Sequence, residues 1–176
     1  MQIPLRILFI CTHNRCRSIL AEAVANHISE GCLLAASAGC EPAGEVHPLT
    51  LLSLQRHGIP AEGLRSKSWA ELADFMPHFV ITVCDNAAES CPLWLGKTRP
   101  LHWGVADPSL VATDENVCLQ AFDQTIAILT ARLLWLREGV NQGLNLQGLE
   151  QLIKALADTS ERTGRQEAQW ACSNTI

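Results

Sequence analysis

Cys11, Arg17 and Ser18 are the residues of this chain best placed to do chemistry. They lie in the stretch Cys11-Thr12-His13-Asn14-Arg15-Cys16-Arg17-Ser18, with the guanidinium six residues after the thiol and the hydroxyl next to it. An apolar run, Leu5-Arg6-Ile7-Leu8-Phe9-Ile10, precedes the stretch, and the helix-forming segment Ile19-Leu20-Ala21-Glu22-Ala23-Val24 follows it. The thiol therefore falls in a loop between a strand and a helix N-terminus. The first N–H groups of a helix have no intrahelical acceptor, the helix dipole adds positive potential there, and a loop wrapped around that end forms a nest for anions. The same field favours thiolate over thiol, which makes Cys11 a nucleophile at neutral pH. Arg17 offers a planar fork to two oxygens of one anion, and Ser18 is placed to stabilise the sulfur when it leaves. Thr12, His13, Asn14, Arg15, Cys16, Arg17 and Ser18 together form the expected oxyanion cradle. A buried strand-end cysteine beside a solvated arginine is the bland alternative, and the three residue types at one such junction weigh against it.

Two other places carry chemistry. Asp107-Pro108 lies in the loop expected over Trp103–Pro108. It reads either as an ordinary Asp-Pro turn or, with the Cys11 loop at another strand end, as a general acid that protonates a leaving oxygen. Cys84 and Cys91 frame Cys84-Asp85-Asn86-Ala87-Ala88-Glu89-Ser90-Cys91. They are either two unpaired thiols or a resolving pair, in which Cys84 attacks an adduct on Cys11 and Cys91 then takes over the disulfide. Such exchange needs in-line access and a segment that can move.

The elements that must hold these residues alternate. Leu5–Ile10 has the composition of a buried parallel strand, and Ser18–Ser29 that of a helix. Leu33–Ala38 is a second strand. Pro48–Gln55 is a helix with Pro at its start and Gly58 past its end. Trp69–Phe75 reads as a short helix, Phe79–Val83 as a third strand and Thr98–Trp103 as a weaker fourth. Asn116–Arg137 is the longest helix, closed by Gly139, with Val117, Ala121, Ile128, Leu133 and Leu136 facing the core. This rhythm predicts an α/β domain with a four-stranded parallel sheet and helices on both faces. Ligands then bind at the carboxyl ends of strands, where both the Cys11 and the Cys84 loops fall. Residues 1–139 are expected to form the domain. Residues 140–176 are an extension, with an amphipathic helix over Leu144–Ala157 and then a polar tail.

Composition sets the remaining bounds. The chain has 176 residues, 48% hydrophobic and 18% charged, with a net charge of −5. That suits one globular domain and argues against nucleic acid as a partner, so an anion site must be made locally. No apolar run suggests a membrane span. The sequence enters a strand at once, without a signal-peptide pattern, and a cytoplasmic location is expected. The eight cysteines then read as free or catalytic thiols. No Cys-x-x-Cys occurs, and His47, His57 and His102 are scattered, so no metal is expected. Cys16 reads first as a packing residue. Cys32, Cys40, Cys118 and Cys172 read as structural or incidental.

Cys11, Asn14, Arg17, Ser18, Asp107 and Pro108 resemble the motif set of the low-molecular-weight tyrosine phosphatase superfamily, and within it the arsenate reductases. The resemblance runs from about Ile7 to Arg137 and implies a flavodoxin-like fold. The phosphatases usually carry tyrosines after the Asp-Pro. This chain has no Tyr and reads Asp107-Pro108-Ser109-Leu110. The reductases carry two further cysteines seven apart, which Cys84 and Cys91 match, and His102-Trp103-Gly104 also looks like that branch. The resemblance implies reduction of arsenate to arsenite by attack of Cys11, a Cys11/Cys84/Cys91 disulfide relay and no bound cofactor. Thioredoxin, or glutathione with glutaredoxin, would serve as the thiol reductant. Phosphate and sulfate would compete, and weak phosphatase activity is expected. The alternatives are a phosphatase working through a phosphocysteine and a redox-sensing module that only binds oxyanions. Two departures stand out. His13 replaces a frequent Gly, and the cation site of some reductases is incomplete: Asn14, Glu22 and Ser37 match it, but Arg65-Ser66-Lys67-Ser68-Trp69 lacks the Asp.

Overall fold

Ile7, Leu8, Phe9 and Ile10 have nothing polar to offer water, and they form the centre of the sheet. In the computed structural model, which describes residues 3–90, 100–111 and 113–157, they lie in β1 (Leu5–Cys11) with at most 2% of their surface exposed. Neighbouring strand residues point to opposite faces, so both faces of β1 are covered. The other strands are β2 (Leu33–Gly39), β3 (Phe79–Thr82) and β4 (Leu101–His102), all parallel in the order β2-β1-β3-β4. The single α/β domain with a four-stranded parallel sheet follows the expectation from the sequence.

The helices are α1 (Arg17–Ile28), α2 (Pro48–Arg56), α3 (Asp85–Ser90), α4 (Glu115–Asn141) and α5 (Leu146–Ala157). Helices α1, α2 and α4 pack on one another. Leu64, Trp69, Leu72 and Phe75 bring the segment between α2 and β3 onto the core. Cys11 sits opposite Gly39 at the carboxyl end of the β1–β2 ladder. That end of the sheet carries the Cys11 loop, and Cys84 follows β3 at the same end.

Several local expectations change. Trp69–Phe75 is no α-helix but a single 3-10 turn, Trp69–Leu72, opened by a Ser68/Glu71 capping box. The chain must soon stop, because Met76 takes a left-handed φ of 46° and Pro77 has no N–H. Helix α4 runs through Gly139 to Asn141, and the left-handed Gly143 (φ 78°) follows it instead. Gly139 serves close packing: a Cβ there would meet Leu152 Cδ2 at 2.8 Å. Val117 is 42% exposed, and the α4 core positions are Phe122, Ile126, Leu129, Leu133 and Leu136. By length and composition α4 would also suit a membrane span, but its buried face belongs to this core. In α5, Leu149, Ile153 and Leu156 are buried while Leu146 is exposed. This helix holds the Trp103 indole, whose Nε1 donates to Ile153 O at 2.9 Å, beneath the Arg132 guanidinium 5.7 Å from the ring centroid.

His47 caps α2: its Nδ1 accepts from Leu49 N at 3.1 Å, and its ring stacks on Phe122 at 5.8 Å. Burial, then the charge of Arg15, pulls its pKa below the ordinary histidine value. A histidine that stays neutral in the fold but protonates readily when unfolded stabilises the protein above the unfolded pKa, and this contribution is lost as pH falls through the folded value. Urea midpoints of the wild type are thus expected to fall from pH 7 to pH 5. His47→Asn keeps a capping oxygen but does not titrate, so its midpoint should fall less. Equal pH slopes would refute the assignment.

Candidate active site

The loop from Cys11 to Arg17 is shaped by where its carbonyls go. Those of Cys11, Thr12, His13 and Arg15 accept from the N–H groups of Cys40, Glu41, Ala43 and His47 at 3.3, 2.8, 2.9 and 3.0 Å. Tied outward in this way, the peptide units turn their N–H ends toward the sulfur, the geometry of an anion nest. Asn14 N donates to Cys11 Sγ at 3.2 Å. The turn requires Asn14 to adopt φ 46°, which asparagine tolerates better than most residues.

The Asn14 side chain fixes the direction of every proton near the sulfur. Lys67 N, which can only donate, lies 2.8 Å from Asn14 Oδ1. The amide Nδ2 must then face Ser18 Oγ at 2.8 Å and Ser37 Oγ at 2.9 Å. Both hydroxyls accept from it, so each keeps one proton to give. Ser18 gives its proton to Cys11 Sγ at 2.9 Å, and Ser37 gives its own to Glu22 Oε2 at 2.5 Å. Asn14, Ser18 and Ser37 have no exposed surface, and Cys11 has 3%. The sulfur thus receives hydrogen bonds from Ser18 and from Asn14 N, and such donors stabilise negative charge on it.

Cys11, His13, Arg15, Cys16, Arg17 and Asp107 line a pocket of about 30 Å³ above the sulfur. It suits a small oxyanion and offers no aromatic ring beyond the His13 imidazole. Arg17 NH2 lies 2.9 Å from Asp107 Oδ2, and NH1 donates to Val105 O at 3.1 Å. The guanidinium is therefore already oriented at the rim. Asp107 caps the 3-10 turn Pro108–Leu110 and accepts on Oδ1 from Ser109 N and Ser109 Oγ, at 3.0 and 2.7 Å. The Asp-Pro turn and the site carboxylate are thus the same feature. Cys16 caps α1 through its backbone and is 2% exposed. Burial pushes its thiol pKa up, as befits a packing residue.

Cys84 ends up beside the loop. It is 3% exposed, and its Sγ lies 3.5 Å from Thr12 Oγ1, the residue next to Cys11. His102 links the neighbouring elements, with Nδ1 2.8 Å from Thr82 Oγ1 and Nε2 3.0 Å from Asp85 Oδ1. Cys91 lies outside the described residues. His47, His57 and His102 are far apart in role: the first caps α2, the second faces Asp123 at 3.0 Å, and the third bridges β4 to α3.

Gly39 and Lys67 were not legible as site residues. A Cβ at Gly39 would come within 2.8 Å of Thr12 O and 3.0 Å of Asn14 Cβ. The only signal was a glycine closing a strand. Gly39→Ala is expected to cost about 1–3 kcal/mol through overpacking and to weaken oxyanion binding by displacing the loop. Urea unfolding and phosphate titration by calorimetry would measure both, and wild-type values for both would refute the assignment.

A family model described as low molecular weight phosphotyrosine protein phosphatase matches residues 6–145. Among individual relatives, the arsenate reductase of Shouchella clausii is 34% identical over 107 residues, covering 58% of this chain and 73% of that protein. The solved structure of a thioredoxin-dependent arsenate reductase from Corynebacterium glutamicum superposes with a TM-score of 0.60 at 27% identity, covering 82% of this chain and 66% of that one. A low molecular weight protein tyrosine phosphatase from T. tengcongensis gives 0.61 at 21% identity over 80% of this chain and 99% of that one, a likeness of fold alone.

Proposed function

The chain belongs to the low molecular weight phosphotyrosine protein phosphatase family, and within that fold we propose that it reduces arsenate to arsenite with a three-cysteine relay. The observation that carries this reading is the packing of Cys84 Sγ 3.5 Å from the Thr12 hydroxyl, next door to the nucleophile. A phosphatase has no use for a second thiol there. The arsenate reductases among the relatives support the same reading.

In this reading Arg17 turns its fork from Asp107 to the bound oxyanion, and the loop N–H groups stabilise the charge that develops on it. The Cys11 thiolate attacks arsenic, forming an S–As bond, while Asp107 protonates the oxygen that leaves as water. Cys84 thiolate then attacks Cys11 sulfur. The S–As bond breaks, its electron pair stays on arsenic, and arsenite departs as the Cys11–Cys84 disulfide forms. Two thiols have supplied the two electrons. Cys91 attacks Cys84, freeing Cys11 and leaving Cys84–Cys91 for reduction by an external dithiol. Thioredoxin is the proposed donor, with glutaredoxin and glutathione as the alternative. A relay of free thiols suits a reducing compartment, hence the cytoplasm.

The deciding assay is arsenate-dependent NADPH oxidation with thioredoxin and thioredoxin reductase, run beside glutathione with glutaredoxin and beside p-nitrophenyl phosphate hydrolysis. Arsenate turnover that exceeds aryl phosphate hydrolysis supports the reading. Hydrolysis of the aryl phosphate with no arsenate turnover in either reductant system would replace it with a phosphatase.

A further inference from the structure

Lys67 is buried, 7% exposed, on a protein whose other described lysine lies in solvent. Its Nζ lies 3.3 Å from Glu22 Oε2 and 3.3 Å from Arg65 O. An ammonium taken out of water is costly unless it is paired, so the contact with Glu22 sets what that carboxyl can be. Held beside the cation, Glu22 is an ionised acceptor with no proton to give. Ser37 must then donate to it, which leaves Ser37 free to accept from Asn14 Nδ2. The other Asn14 amide hydrogen goes to Ser18, and the Ser18 proton goes to the Cys11 sulfur. The backbone N–H of the same residue, Lys67, holds Asn14 Oδ1 and blocks the flipped amide. One residue thus fixes the chain at both its far end and its middle.

We propose that Lys67 is a positioning residue for the nucleophile. Its ammonium neutralises Glu22, and its backbone N–H orients Asn14, so that the hydroxyl of Ser18 points its proton at Cys11. This rests on Cys11 being the nucleophile of the proposed reaction and not on which oxyanion it attacks. The ammonium also accounts for the missing Asp in the 65–69 segment. A hard cation is held by oxygen lone pairs, but at Glu22 and Ser37 the positive charge is already supplied by the chain. These residues do not fit a potassium ion, and the wild-type protein has no need of one.

Three readouts test this without arsenate, on the reduced full-length chain. They are the rate at which iodoacetamide alkylates Cys11 at pH 7, followed by peptide mass spectrometry, the thermal midpoint, and the response of both to KCl against NaCl. Lys67→Met, which keeps the apolar stem and removes the charge, is expected to slow Cys11 alkylation by about 3–10-fold, the scale of one weakened hydrogen bond to the sulfur. The wild type is expected to behave alike in the two salts. Lys67→Ala, which opens space beside Glu22, is expected to regain alkylation rate in KCl and not in NaCl. If Lys67→Met lowers the thermal midpoint but alkylates at the wild-type rate, Lys67 is structural only and the proposal is overturned. A wild type that needs potassium for full reactivity overturns it as well. Should Lys67→Met fail to fold, Lys67→Met/Glu22→Gln removes the orphaned carboxylate and is compared in its place. Slow alkylation then supports the proposal and a wild-type rate overturns it. Because no oxyanion enters these measurements, their failure is separate from any failure of arsenate turnover.

Discussion

Cys11→Ser is expected to abolish the proposed arsenate turnover, by at least about 10⁴-fold, the scale seen when a nucleophile is removed from a site whose other parts remain. A serine hydroxyl in the same hydrogen bonds, accepted from Asn14 N and from Ser18 Oγ, is not ionised at neutral pH and cannot form a disulfide. The cradle itself should survive, since none of the outward ties of the loop carbonyls involves the Cys11 side chain. Phosphate should therefore still bind to Cys11→Ser, measured by titration calorimetry, while NADPH oxidation in the coupled assay falls to background. Turnover within about tenfold of wild type would show that another group does the chemistry.

Cys84→Ser is expected to produce a different failure. Attack of Cys11 on arsenic needs only the loop, Arg17 and Asp107, so the first covalent step remains. No thiol then lies beside Thr12 to break the S–As bond, and steady-state turnover with thioredoxin should drop by at least about 10²-fold, the loss expected when a resolving thiol is removed from an exchange chain. Free-thiol titration after one equivalent of arsenate, with no reductant, separates the steps. The wild type loses a pair of thiols per chain to a disulfide, and Cys84→Ser forms none. Cys91→Ser should instead accumulate the Cys11–Cys84 disulfide, visible by peptide mapping. Full multiple turnover by both variants would remove the relay and leave Cys11 acting with external thiols.

Much of the architecture was legible because it rests on short-range patterns. A run such as Ile7–Ile10 has no stable place but a strand buried on both faces, and alternation with helical segments makes the sheet parallel. The thiol, guanidinium and hydroxyl of the loop were legible for a related reason: their spacing is local, and a strand-to-helix junction sets their geometry within a few residues. Helix ends were less legible. Gly139 reads as a stop, yet it lies inside α4 because Leu144, Leu149 and Leu152 from the following segment press on it, and a contact between helices leaves no mark on the glycine's own neighbours.

By itself, then, the order of residues determined the sheet and the loop that carries Cys11, Arg17 and Ser18, since each depends on groups close along the chain. Tertiary structure alone decided what surrounds them. Arg17 meets Asp107 ninety positions away, Thr12 meets Cys84 across seventy-two, and Lys67 reaches both Asn14 and Glu22 from a segment that had been noted only for what it lacked. The physical reason is that hydrogen bonds and ion pairs act over a few ångströms in space and are indifferent to separation along the chain. Their partners appear only when the sheet brings the strand ends together.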